Sequence, residues 1–392
     1  MSEWKKVKLK DCCTKIGSGS TPKGGSTVYI DSGTSLIRSQ NVYNLFFDYN
    51  GLTHITEEAA KKLNGVTIHP NDILLNITGD SVARTCIVPA EVLPARVNQH
   101  VAIVRVDDNK MYSRYLSYYL ASPKMQTHML GLAVGKGASR NAMTKQMIEN
   151  FEVPCPPLDT QIHIATILSR YDSLIENYQK QIKLLEEAAQ RLYKEWFVDL
   201  HFPGHENTKI VDGVPEGWEK KTLDSFCNVF TGKKNANQGV PNGEYKFFTC
   251  GDTPLLINSF IYDGPAIIIS GNGSYTGRTT FYEGKFDLYQ RTYACTIKDT
   301  KNRDLIYGLY EIVKCELTNK ISGGTHGAAI PYIVMSDLTK FDFLFNDSIM
   351  HRFSTTVKKL LSISLKLSNN IRLLTEARDR LLPKLMSGEI AV

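Results

Sequence analysis

One amphipathic segment occurs twice in this chain, 189 residues apart. Residues 182–192 have the sequence IKLLEEAAQRL, and residues 371–381 have the sequence IRLLTEARDRL. The alignment extends without a gap back to Gln161, which falls opposite Met350. A period this long indicates that a whole structural unit was duplicated, and it does not fit a short-repeat solenoid.

Both copies are predicted to form long helices. Apolar residues recur at every seventh position, and neither copy contains proline or glycine before its end. A heptad pattern of this length is typical of a coiled coil, although a helical hairpin that is only core stays open as an alternative. We expect Asp159 to cap the first helix and Pro383 and Gly388 to end the second. The positions assigned to the coiled coil or to a partner subunit are Ile164, Tyr171, Leu174, Tyr178, Leu185, Leu192, Phe353, Leu360, Leu367, Leu374 and Leu381.

Each predicted helix carries three apolar columns, whereas the seam between two helices needs only two. The spare column indicates that helices from another chain complete a larger bundle. Two similar helices packed antiparallel would be related by a pseudo-twofold axis. We therefore expect the remaining, globular segments of the chain to lie at opposite ends of one rod.

Two globular segments alternate with the two helices and have several residues in common at similar spacing. Trp4, Leu9 and Cys13 in the first recur with similar spacing as Trp218, Leu223 and Cys227 in the second. The apolar run 70–79 parallels 262–271, and an Arg-Thr pair follows each run. Strands are predicted at 35–37, 72–77 and 100–106, and helices at 57–63 and 113–121.

The predicted fold is α+β, with two globules joined by two long antiparallel coiled-coil helices in a pseudo-twofold duplication. The predicted segments are a first globular domain at 1–157, a spacer helix at 158–202, a linker at 203–216, a second globular domain at 217–345, and a second spacer helix with a tail at 346–392.

The composition is that of a soluble globular protein, with 42% apolar and 22% charged residues. No apolar run approaches the roughly 20 residues of a membrane span, and the start does not resemble a signal peptide. The eight cysteines include no C-x-x-C pair, which favours reduced thiols and a cytoplasmic location. The net charge of +6 permits a polyanionic partner without requiring one.

Motifs for cofactor, metal or nucleophilic chemistry are absent from the sequence. It has no Walker loop, no dinucleotide-binding glycine motif, no H-E-x-x-H metal motif and no G-x-S-x-G elbow. His201 and His205 are four apart but lie in a Pro/Gly-containing linker, so no metal site is predicted there. We expect this chain to have no catalytic activity of its own.

Polar, glycine-rich loops remain as candidate binding sites in both globular segments. Asn, Gln and Arg side chains can pair with base edges, and Lys, Ser and backbone amides near glycine can bind phosphates. Taken singly, each loop is also an ordinary surface turn of an α+β domain, and only the recurrence favours a function. Globules at the two ends of the predicted rod would be tens of ångströms apart. This distance matches major-groove half-sites one helical turn apart, which are separated by about 34 Å. Because the two globules differ in detail, we expect an asymmetric, bipartite DNA target.

The chain resembles the specificity subunits of type I restriction–modification systems along essentially its whole length. The resemblance is carried by Trp4 with 19–22 (GSTP), 35–41 (SLIRSQN), 72–80 (DILLNITGD), 97–100 (VNQH), 154–161 (PCPPLDTQ) and 380–390 (RLLPKLMSGEI). It implies that the globules are target recognition domains and that the helices are spacers. It also implies docking of two modification subunits that use S-adenosylmethionine to methylate adenine, and of restriction subunits that cleave DNA with ATP and Mg²⁺. Segments 244–261 and 325–333 depart from the family pattern.

The resemblance and the loop chemistry together nominate DNA-contacting residues in both domains. Those in the first domain are Thr21, Lys23, Arg38, Gln40, Asn41, Asp80, Ser81, Arg84, Asn98, Gln99, Lys136 and Arg140. Those in the second are Lys233, Lys234, Asn272, Ser274, Tyr275, Arg278, Arg291 and His326. Two other interpretations stay open: a scaffold whose globules bind protein, and a DNA enzyme with an unrecognised site.

Overall fold

A computed structural model of the chain describes residues 4–134, 141–322, 332–390 and 392. The chain divides into two compact units. Unit 1 comprises Met1–Glu176 with Ile371–Val392, and unit 2 comprises Asn177–Asn370. Both long helices cross from one unit into the other, so the units do not coincide with the five predicted segments, whose boundaries stay a prediction.

Unit 1 is built on a four-stranded antiparallel sheet with the strand order Cys13–Ser18, Val101–Val106, Ile73–Asn76 and Thr85–Ile87. A second sheet has the order Ala95–Val97, Thr34–Ile37, Thr53–Ile55 and Tyr29–Ile30. Strands Lys6–Lys8 and Glu152–Pro154 pair antiparallel, as do Val42–Tyr43 and Phe46–Phe47. The helices confined to unit 1 are Leu9–Cys12, Glu57–Lys62, Ser113–Ala121, Pro123–Ala133 and Lys145–Glu149. The three strands and two helices predicted for this region are confirmed.

Residues 101–104 of strand Val101–Val106 are apolar on both faces because both faces are buried. Ala102 and Val104 belong to the core cluster beneath the helices, whereas Val101 and Ile103 belong to the cluster beneath the second sheet. Successive strand residues point to opposite faces. A continuous apolar run is therefore what a strand between two cores requires.

Unit 2 repeats the central sheet of unit 1 with the same strand order. Its strands run Cys227–Thr231, Thr292–Ile297, Tyr262–Ser270 and Thr279–Leu288, and Tyr245–Phe248 and Leu255–Ile257 extend the same sheet. Strand Glu219–Thr222 pairs with Asp342–Phe345, as Lys6–Lys8 pairs with Glu152–Pro154 in unit 1. The helices confined to unit 2 are Leu305–Ser322 and Met335–Thr339. The predicted linker contains a short hairpin, Ile210–Val211 with Val214–Pro215.

The two long helices are Leu158–Tyr193, continued by a π-helical turn at Lys194–Val198, and Asp347–Ser387. In unit 1, Ile164 and Leu168 share a core cluster with Leu382 and Leu385. In unit 2, the ring centroids of Phe197 and Phe353 are 4.9 Å apart. The start of each helix thus packs near the end of the other, as the antiparallel prediction requires.

The prediction that Pro383 ends the second helix is wrong. The helix continues through Pro383 to Ser387. Leu382 and Leu385 on either side are buried in the unit 1 core, so tertiary packing maintains the helix although proline lacks the amide donor. Gly388 ends it in the left-handed conformation, with φ of 73°.

Candidate nucleic-acid interface

The same turn follows the buried central strand in both units. In unit 1, the Asn76 amide donates to the Arg84 carbonyl (2.8 Å), and the Ala83 amide donates to the Asn76 carbonyl (2.9 Å). In unit 2, the corresponding pairs are Ser270 with Arg278 (3.0 Å) and Gly277 with Ser270 (2.9 Å). The turns therefore superimpose residue for residue in their hydrogen bonding.

The backbone conformation of the turn is also shared. Gly79 and Ala83 have φ of 74° and 75°, and the matching Gly273 and Gly277 have φ of 81° and 85°. This left-handed region favours glycine, and buried Ala83 is the one non-glycine among the four positions. Both turns thus share a backbone conformation with two left-handed residues, which few residue types adopt readily.

Two further segments hold each turn in place through backbone bonds. One segment immediately precedes strand Val101–Val106 or Thr292–Ile297, and the other follows residues 135–140 or 323–331. The bonds are Ile77 N to His100 O (3.0 Å), Met143 N to Ile77 O (2.8 Å), Gly271 N to Arg291 O (2.9 Å) and Ile333 N to Gly271 O (2.8 Å). In unit 2 the Tyr293 hydroxyl adds a bond of 3.0 Å to the Ile333 carbonyl. Burial raises the pKa of Tyr293, so the hydroxyl stays protonated as this donor.

Each turn carries an arginine stacked on a tyrosine ring. The guanidinium carbon of Arg84 lies 4.5 Å from the centroid of Tyr43, and that of Arg278 lies 4.5 Å from the centroid of Tyr275. Arg278 also donates from Nη1 to Asp252 Oδ1 (2.9 Å) and from Nη2 to the Gly251 carbonyl. Stacking fixes the orientation of a guanidinium and leaves its N–H edge to make hydrogen bonds, which in Arg278 go to Asp252 and Gly251.

A polar cluster in unit 1 joins predicted residues to two that sequence reasoning missed. The Thr21 hydroxyl donates to Gln99 Oε1, and Gln99 Nε2 lies 3.1 Å from His100 Nε2. Thr78 Oγ1 lies 2.6 Å from His100 Nδ1. The two residues that sequence reasoning missed are Thr78 and His100. His100 directly follows the predicted Asn98-Gln99 pair, and this adjacency could have nominated it.

Two predicted residues, Asn41 and Asn98, are buried. Asn41 Oδ1 accepts from the Arg38 amide (3.1 Å), and its Nδ2 donates to the Asp48 carbonyl (2.9 Å). Asn98 Oδ1 accepts from the His100 amide (3.1 Å). Both side chains hold loops in shape. Their direct contact with DNA stays a prediction.

Arg38 and Gln40 converge on one carbonyl. Arg38 Nη2 donates to Gly51 O at 2.7 Å, and Gln40 Nε2 donates to the same oxygen at 3.3 Å. The buried Nε of Arg38 has no hydrogen-bond partner. Gln40 is exposed, so its amide oxygen is accessible to an approaching ligand.

The other predicted residues lie at or beside these loops. Lys23, Asp80, Lys233, Ser274, Tyr275 and Arg291 are exposed, and Ser81 and Asn272 are half-buried. Lys234 lies 3.5 Å from the Asp287 carboxylate. Lys136, Arg140 and His326 lie outside the described residues. Contact between DNA and any of these side chains stays a prediction.

No set of three or more His, Cys, Asp or Glu residues that could hold a metal ion occurs within 4–134, 141–322, 332–390 and 392. In the same described parts of the chain, every helix is too short or too polar to cross a membrane.

Comparison with known proteins identifies the family. Residues 1–187 and 215–344 match the family model of the type I restriction modification DNA specificity domain. The chain belongs to this family. One match thus falls on each globular segment, which agrees with the recurrence of the turn in both units.

Individual relatives carry the same description. The type I restriction enzyme MjaIX specificity subunit of Methanocaldococcus jannaschii is 26% identical over 415 residues, covering 100% of this chain and 94% of the relative. The type I restriction enzyme EcoDI specificity subunit of Escherichia coli is 30% identical over 182 residues, covering 45% of this chain and 39% of the relative. The crystal structure of a type I restriction–modification S subunit from M. genitalium matches with a TM-score of 0.63 at 14% identity, covering 97% of this chain and 96% of that one. This last similarity confirms the fold.

Proposed function

We propose that this chain is the DNA specificity subunit of a type I restriction–modification complex and binds an asymmetric, bipartite duplex, with one half-site on each unit. The observation that carries the proposal is the recurrence of one hydrogen-bonded turn in two units that each match the specificity-domain family. The loops around the turn differ between the units. Two similar domains with unlike loops suit two unlike half-sites.

The polar groups around each turn have the chemistry that DNA binding requires. Unit 1 presents Thr21, Lys23, Gln40 and Gln99, and unit 2 presents Lys233, Asn272, Ser274 and Arg291. Exposed amides can pair with base edges, whereas cations and hydroxyls can bind backbone phosphates. The net charge of +6 is compatible with a nucleic-acid partner.

Two modification subunits are the proposed partners of the long helices, and restriction subunits complete the cleaving complex. Apolar side chains on these helices remain exposed, including Leu174 (45%), Leu184 (62%), Ile363 (46%) and Leu373 (47%). Exposed apolar side chains that recur along one element favour a protein interface. In this proposal the chain is non-catalytic, and S-adenosylmethionine, ATP and Mg²⁺ bind to the partner subunits.

Co-expression with the cognate modification subunit, followed by genome-wide mapping of methylated adenines, tests the proposal. We expect a single interrupted motif with two unlike halves and a fixed gap. Exchange of residues 217–345 for those of a relative should change one half and leave the other intact. Absence of methylation from a soluble, cofactor-bound complex would contradict the proposal and favour the protein-binding scaffold.

A further inference from the structure

Arg84 and Arg278 occupy the same place in the two units. Each is the residue whose carbonyl accepts a hydrogen bond from the last residue of the central strand, Asn76 or Ser270. Each is half-buried and has its guanidinium 4.5 Å from a tyrosine centroid. The two arginines are thus equivalent in backbone position, and each has its guanidinium beside a tyrosine ring.

The tyrosines, in contrast, come from different places in the chain. Tyr275 lies within the turn of unit 2, where unit 1 has Ser81. Tyr43 lies on the hairpin Val42–Phe47, outside the turn of unit 1. Duplication of one ancestral turn explains the shared arginine but not a ring supplied by unrelated segments. The recurrence of the stack therefore indicates that an oriented guanidinium is useful at this position.

The hairpin of unit 1 is attached to the turn at the residue after Arg84. The Leu45 amide donates to the Thr85 carbonyl (2.9 Å), and the Thr85 amide donates to Asn44 Oδ1 (3.1 Å). These bonds fix the Tyr43 ring relative to the Arg84 backbone. The hydrogen bonds between the hairpin and Thr85 therefore hold the tyrosine next to the arginine.

We propose that Arg84 and Arg278 each bind a backbone phosphate of one half-site and do not themselves discriminate between bases. This inference rests on the proposed function, in which the two units bind unlike half-sites. A group that both units present at the same backbone position suits a feature that both half-sites share, and the phosphate backbone is such a feature. A guanidinium with one face on a ring presents its N–H groups as a fork, which matches two phosphate oxygens. Arg278 would exchange its bonds to Asp252 and Gly251 for the phosphate. Phosphate contacts set the register of a protein on DNA, whereas base contacts determine specificity.

The charges around the two arginines predict a difference between them. Arg278 is ion-paired with Asp252 at 2.9 Å, so part of its charge is already compensated before DNA binds. Arg84 makes no ion pair with a described carboxylate. Loss of Arg84 should therefore reduce the salt dependence of binding more than loss of Arg278 does.

The test measures the affinity of the complete complex with the modification subunit for a cognate duplex and for a duplex with one half-site scrambled. Measurements between about 50 and 200 mM salt give the slope of log K against log salt, to which one phosphate contact contributes about 0.9. Arg84→Ala should weaken both duplexes by the same factor, reduce the slope by about 0.9 and leave the methylated motif unchanged. Arg278→Ala should do the same with a smaller change of slope. Lys62→Ala, which removes an exposed cation from the helix Glu57–Lys62, is the matched control.

Two further variants separate a phosphate contact from loss of local structure. Arg84→Lys keeps the charge but not the fork, so it should retain most of the slope and bind both duplexes more weakly than wild type does. Tyr43→Leu should weaken both duplexes without changing their ratio. Hydrogen exchange at Thr85–Ile87 shows whether the turn itself is intact in each variant.

A fall of tenfold or more in the ratio of cognate to scrambled affinity, or a motif relaxed at one base pair, would overturn the inference and make the arginine a base contact. Unchanged affinity and slope would overturn it as well. Failure of the proposed function looks different, because the wild-type complex would then show neither preference between duplexes nor an interrupted methylation motif.

Discussion

Replacement of Gly19 by alanine tests how the candidate interface of unit 1 is assembled. A Cβ atom at Gly19 would lie 2.0 Å from the Val97 carbonyl oxygen and 2.4 Å from that of Asn98. Both obstacles are backbone atoms that no rotamer change can move. The chain must therefore separate by about 1 Å or more for the contact to become tolerable.

The cost follows from the contacts that this separation breaks. The Gly19 amide donates to the Val101 carbonyl (2.9 Å), and the Ser20 amide donates to the Val97 carbonyl (3.0 Å). Two hydrogen bonds at about 1 kcal/mol each and about 1–3 kcal/mol of overpacking give a loss of about 3–5 kcal/mol. At about 1.4 kcal/mol per factor of ten, amide exchange in the strand Val101–Val106 should accelerate by about 100-fold or more.

Hydrogen exchange with peptide resolution on the full chain measures this effect. Peptides from Cys227–Thr231 in unit 2 provide an internal reference. Gly17→Ala is the matched control, because a Cβ at Gly17 meets nothing within 4 Å. Gly232→Ala should give the reverse pattern, because its Cβ would lie 1.8 Å from the Leu288 carbonyl oxygen. Exchange in Gly19→Ala within threefold of that in Gly17→Ala would refute the reasoning.

Three other predictions concern buried or partly buried ionisable groups. Arg105 makes two contacts of 2.7 Å with the fully buried Asp72, so Arg105→Ala should lower the free energy of unfolding by about 3–5 kcal/mol, measured by exchange in unit 1. Burial raises the pKa of Glu311, so its stabilising contribution is complete below the unfolded pKa of about 4.3 and is lost as pH rises through the folded value. Glu311→Gln should therefore raise the melting temperature at pH 8 relative to wild type and not at pH 4. Arg378 Nη1 lies 2.7 Å from Asp172 Oδ1, so Arg378→Ala or Asp172→Leu alone should cost about 1–3 kcal/mol, and the double variant should cost less than the sum.

The sequence predicted the features that depend on periodicity. The heptads predicted both long helices because a coiled-coil stripe is visible without knowledge of its partner. The apolar run of Val101–Val106 predicted a strand because both of its faces are buried. The expected stop at Pro383 failed because proline propensity is local, whereas the burial of Leu382 and Leu385 against the core decides the outcome.

The details of the candidate interface depended on contacts between residues distant in sequence. Asn41 and Gln40 are neighbours of similar chemistry, yet one is fully buried and the other is exposed. His100 joins the polar cluster through Thr78, 22 residues away. The stack of Arg84 on Tyr43 depends on a hairpin whose docking no periodicity could indicate. Spacing therefore located the loops, and only the fold determined which of their side chains remain available.

The Asp172–Arg378 ion pair joins the two long helices at positions where the internal repeat is not conserved. The repeat aligns Asp172 with Leu361 and Arg378 with Ala189, so the ion pair of unit 1 has apolar counterparts. If the first helix packed antiparallel against a copy of itself, Asp172 would face Ala189, and a self-paired second helix would set Arg378 against Leu361. Either pairing removes the partly buried Asp172–Arg378 ion pair, whereas pairing of the two different helices keeps it. We therefore expect the double variant Asp172→Leu/Arg378→Ala to associate through like helices, giving a larger dimer fraction than wild type in light scattering. An unchanged mass distribution would show that the ion pair does not select the partner helix.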